Sequence, residues 1–193
     1  MKPLYSLNDT LVGTLVALLS ILVALAGYQN AMSGSEQTKY NVQGQQMLTD
    51  ANAEYVTVNQ EIVYDFTMFD SWYLTDDEEK KVYYQGSFSE NLKAALLKNA
   101  EEPFNQEYYT SRFAESNKIA DESDSLFALA EKFNERGDAL QLVALIGSLG
   151  LAFAAWSSLL KEQSSIRLTF AVLSIAALVY SLILYFNVPQ VIR

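Results

Sequence analysis

A chain of 193 residues can hold one or two compact units, and its 23 acidic against 13 basic side chains leave a net charge of −10. The sequence contains neither cysteine nor histidine. That excludes disulfides, thiol nucleophiles, zinc sites built on Cys or His, haem ligation through His and any Ser-His-Asp triad. The acidic balance argues against nucleic acid as a partner.

Hydrophobic residues are gathered into three runs without a charge, Leu11 to Tyr28, Ala139 to Leu160 and Leu168 to Val188. Each is close to the roughly 20 residues a helix needs to cross a bilayer core, so three membrane spans are expected. The first run, with Lys2 before it and Ala24-Leu25-Ala26 near its end, also fits a secretory signal peptide; Asp9 in the flanking region favours an uncleaved span. Three regions follow: residues 1–28 with the first span, an acidic insert over 29–137, and residues 138–193 with the second and third spans. The insert holds 20 acidic and 9 basic residues, a net of −11.

The insert reads as helical. Leu48, Ala51, Tyr55, Val58, Ile62, Phe66, Phe69 and Tyr73 fall at steps of three and four, one face of a long helix. Thr75 to Glu78 and Ser87 to Glu90 have the form of capping boxes, the second opening a helix over residues 88–98. Pro103 marks the start of a last helix that runs from about Phe104 into the membrane. There Leu126, Ala130, Phe133, Gly137, Leu140, Ala144 and Gly147 keep an unbroken four-three spacing, which favours a continuous helix through Gly137; Asp138 to Gln141 could instead cap a new one. The expected fold is an all-α membrane protein with three transmembrane helices and a long antiparallel helical hairpin or small helical bundle between spans one and two.

Orientation follows from sparse charge. The connection Lys161 to Arg167 carries two bases and one acid and shares a side with Lys2. The positive-inside rule places that side in the cytoplasm and the insert outside. Tyr5 and Trp156 near one face, with Tyr28 and Tyr185 near the other, form the expected aromatic belts.

No Gly-rich phosphate loop, metalloprotease helix or nucleophile elbow is present, so no catalytic residue, metal or cofactor is expected and the chain does not read as an enzyme. Two sets of residues are candidates for contact. Phe66, Phe69, Trp72, Tyr83, Tyr84, Tyr108 and Tyr109 form an aromatic tip that either builds a small core or offers a docking patch for a partner or ligand. One of each tyrosine pair is expected to face outward, since helical neighbours diverge by about 100°. Small residues, Gly13, Ala17, Ser20, Ala24 and Gly27 in the first span, Ala144, Ser148 and Ala152 in the second, and Ser174, Ala177 and Ser181 in the third, would let helices approach closely or line a pore. The acidic cluster from Asp121 fails the calcium-loop pattern, with Leu126 and Lys132 where Gly and Glu belong.

With the stretch DANAEYVTVNQEIVYDF (residues 50–66), this order of parts resembles a group of small prokaryotic membrane proteins having one span, a helical insert and two closing spans. That group has no assigned activity, so the resemblance implies architecture only. The span–insert–span portion also looks like the sensory half of bacterial chemoreceptors, without their cytoplasmic signalling helix and with an added third span. Three roles remain open: a structural or accessory protein that forms homo-oligomers or joins a larger membrane complex in the lipid bilayer, an oligomeric channel, and a sensor whose tip binds a ligand.

Overall fold

The computed structural model describes residues 8–191. Met1, Lys2 and Tyr5, used above for the first span's start and belt, lie outside the described residues, as does Arg193. Six helices follow in order, α1 (Asp9–Leu74), α2 (Glu78–Gly86), α3 (Glu90–Lys98), α4 (Gln106–Arg112), α5 (Ala114–Leu159) and α6 (Ser165–Phe186), with no strand among the described residues. Parts of α1 and α5 and the whole of α6 are long and apolar enough to cross a membrane. The chain is thus all-helical with three candidate spans, compatible with an integral membrane protein.

It divides into two compact units: the chain up to Tyr40 with Ala128 onward, and Asn41–Phe127. These divisions fall farther along α1 and earlier in α5 than the change in composition at residues 28 and 137, because helix packing continues after the apolar runs end. Tyr40 still stacks on Phe133 at 5.6 Å between ring centroids.

In the first unit, α5 packs against both α1 and α6. The core joins Leu22 and Ala26 of α1 to Leu140 and Val143 of α5, with Val188 after α6. Glycines on α5 set the approach. A Cβ at Gly147 would come within 2.7 Å of Val23, and one at Gly150 within 2.9 Å of Ala177 and 3.0 Å of Leu19. Gly137 lies inside α5, and no glycine among the described residues has positive φ, so the helix passes through it without a break.

In the second unit, short helices close over the end of α1. Val58 and Ile62 meet Phe88, Leu92, Ala95 and Tyr108 in one core. The sequence places both caps two residues early. Asp77 caps α2, accepting from the backbone N–H of Glu79 and Lys80, while Ser87 closes that helix and Ser89 caps α3. The last helix does not start at Phe104. It is interrupted at Phe113, whose ring stacks on Tyr55 at 4.9 Å, leaving α4 as a separate helix of about two turns. Farther along, Ser123 donates to the carbonyl of Gly44 at 2.8 Å, and a Cβ on Gly44 would touch the Phe127 ring at 3.0 Å.

Candidate functional site

The most unusual group in the insert is a carboxylate in its core. Asp65 is fully buried on the face of α1 that also carries Val58 and Ile62. Each acceptor atom is used. Oδ1 accepts from the backbone N–H of Ser89 at 3.0 Å; Oδ2 accepts from Ser89 Oγ at 2.5 Å and from the Tyr108 hydroxyl at 2.8 Å. Ser89 Oγ also accepts from the N–H of Leu92 at the start of α3. A buried charge is tolerable when its lone pairs are filled in this way. One carboxylate therefore ties α1 to the first turn of α3 and to α4. Burial, and then the hydrogen bond to Asp65 and that residue's charge, hold the Tyr108 phenol well above its ordinary value.

Beside it, Arg112 forms an ion pair with Glu61, its side chain only 9% exposed against 54% for Glu61. Its Nε is buried without a partner. Arg112 borders an open groove of about 510 Å³ lined also by Thr57, Gln60, Tyr64 and Ser87. The arrangement can hydrogen-bond a polar group. No group of three or more acidic residues suited to a metal occurs among the described residues.

The aromatic tip resolves mainly into core. Tyr108 is 3% exposed, and Phe69, Trp72 and Tyr109 pack against the same cluster. Phe66 stacks on Phe104. Tyr83 is 71% exposed and meets Tyr84 edge-on on α2, a helix with no buried residue. In each tyrosine pair one ring lies farther out than its neighbour, Tyr83 in one and Tyr109 in the other.

The small residues of the spans divide into two groups. Ser174 and Ser181 are fully buried between helices, and Ala177 meets Gly150. Ser181 Oγ donates to the Ala177 carbonyl at 2.5 Å, whereas Ser174 Oγ is buried without a partner. On α5, Ala144 packs on the core; Ser148 and Ala152 are exposed, and Ser148 Oγ donates to the Ala144 carbonyl. Gly13, Ala17, Ser20, Ala24 and Gly27 are all exposed, and a Cβ on Gly13 or Gly27 would meet nothing within 4 Å. Within the chain α1 packs through Val12, Leu19, Leu22 and Ala26 instead.

Two polar clamps in the first unit were not among the sequence candidates. Arg167 reads as a loop charge but sits in the first turn of α6, 2% exposed, bound to Asp9 and to the Leu160 carbonyl. Ser157 Oγ donates to the Arg167 carbonyl. At the other end of the spans, Arg136 donates to the Pro189 carbonyl at 2.6 Å and to Gln29, whose amide donates to the Tyr185 hydroxyl at 2.7 Å. Opposite charges flanking two apolar runs on one side were the only sequence signal for the first clamp. No family model matches the sequence, and no curated protein or solved structure shows significant similarity to it.

Proposed function

We propose that this protein is a structural or accessory component of a membrane, which assembles with copies of itself or with a larger complex through its helices. The open stripe on the first span carries this reading. The chain spends Gly147 and Gly150 on internal contacts, yet leaves Gly13, Ala17, Ser20, Ala24 and Gly27 exposed, with open space beside both glycines. Small residues at that spacing let another helix approach closely in lipid. On this reading the N-terminus and the 161–164 turn are cytoplasmic, and the acidic insert stands outside the cell membrane.

Native mass spectrometry of the full chain in mild detergent tests the reading. A defined oligomer, or a defined complex with a second protein, is expected; monomers alone at native expression would remove it. An ion channel has less support, because Ser174 is enclosed by the chain's own helices and Ser148 already satisfies its hydroxyl on its own helix. A sensor is favoured by one observation, the polar groove beside Arg112. It requires a small polar ligand to raise the melting temperature of the chain, and a broad screen without a shift would discard it.

A further inference from the structure

On the aqueous stretch of α1, Val42, Thr49, Val56 and Val63 recur every seven residues. All four are exposed, Val42 at 52%, Val56 at 53% and Val63 at 64%. Gln46, Ala53, Gln60 and Thr67 repeat four places after them and are exposed as well. From Val42 to Thr67 this face holds no charge. The carboxylates of the stretch, Asp50, Glu54, Glu61 and Asp65, all fall one, two or five places after a stripe residue. Its threonines are also prepared for burial: Thr49 Oγ1 donates to the Gln45 carbonyl and Thr67 Oγ1 to the Val63 carbonyl, each at 2.8 Å. Covering them orphans no hydroxyl.

We infer that this face pairs with the same face of a second copy, the two α1 helices running parallel. This rests on the assembly reading above and names its partner. Three features select a second copy. Asn41–Phe127 carries 17 acidic and 6 basic residues, so two copies repel wherever their general surfaces meet. The uncharged face is where like-charged copies can approach without burying carboxylates. Copies sharing one membrane with one topology can pair only in parallel, which sets Val42, Thr49, Val56 and Val63 each against its own equivalent.

From Val42 to Thr67 the contact is about 39 Å long at 1.5 Å per residue, and a strip about 10 Å wide would bury roughly 400 Å² per copy. That is below a standard stable interface, so the pairing depends on confinement in a shared membrane.

The absence of native cysteine makes the test direct. Single variants V42C, T49C, V56C and V63C of the full chain would be oxidised in native membranes, with Q43C and D50C as neighbours off the face. Disulfide dimers are expected at the four stripe positions and not at the two neighbours, because Cα atoms must lie within about 7 Å to be bridged. A second substitution pair, V56E with V63E, should lower V42C crosslinking about tenfold, a cost of about 1.4 kcal/mol. Equal crosslinking at positions 43 and 50, or none at the stripe in a sample that native mass spectrometry shows to be oligomeric, overturns this pairing and leaves the assembly reading standing. Monomers in the mass spectrum and no crosslink at any position would remove both.

Discussion

Replacing Asp65 with leucine would strand the Ser89 N–H and the Tyr108 hydroxyl inside the insert, at a cost of about 1–3 kcal/mol for each orphaned group. Tyr108→Phe should cost less, about 1.5–3 kcal/mol, the range for a hydrogen bond to a charged group. Thermal melts of the full chain in detergent would rank the two; an Asp65→Leu protein as stable as the parent would refute the carboxylate's structural role. The phenol gives a pH signature. Its native pKa is raised, so the neutral form is favoured by folding. That stabilisation is complete below the ordinary tyrosine value of about 10 and is lost as pH rises above it, because the unfolded chain releases the proton first. The fall in stability above about pH 10 should be shallower in Tyr108→Phe. Equal alkaline limbs in the two proteins would show that another group titrates there.

The two kinds of span glycine differ in what they touch, and substitution should separate them. Gly150→Leu forces a side chain onto Ala177 and Leu19 and should destabilise the chain by about 1–3 kcal/mol. Gly27→Leu, with open space beside it, should leave the monomer's melting temperature unchanged while reducing any association seen in native mass spectra. Gly137→Ala should stabilise α5 by up to about 1 kcal/mol, since its nearest obstacle is the movable side-chain oxygen of Asn30 at 3.1 Å; a loss would point to a need for flexibility there. The long helices were legible because apolar spacing runs unbroken for many turns, through Gly137 in α5 and from the span to Leu74 in α1. The buried face of α1 near the tip was misread by one residue. A stripe drawn through apolar residues chose Phe66, which is 37% exposed, over its neighbour Asp65, which is fully buried. No pattern of hydrophobicity can mark a carboxylate that belongs in the core. The break at Phe113 escaped for a different reason, since it depends on stacking against Tyr55, 58 positions earlier in the chain.

For the molecule as a whole, the absence of cysteine allows orientation in the membrane to be read residue by residue. On the proposed topology, a cysteine replacing Tyr83 should react with a membrane-impermeant thiol reagent added to intact cells, and one replacing Glu162 should react only after the membrane is opened. The reverse pattern would invert the orientation. The clamp on Arg167 also bears on how the chain is made. During synthesis α1 and α5 are complete before residue 167 emerges, so Asp9 and the Leu160 carbonyl lack the Arg167 guanidinium until α6 is made. An unfinished chain is therefore chemically distinct from a finished one. A protein stopped at Ser164 should be cleared by membrane proteases faster than the full chain, and Arg167→Leu should shorten the lifetime of the full chain in the same direction. On the membrane reading, the third span closes a clamp that the first two leave open.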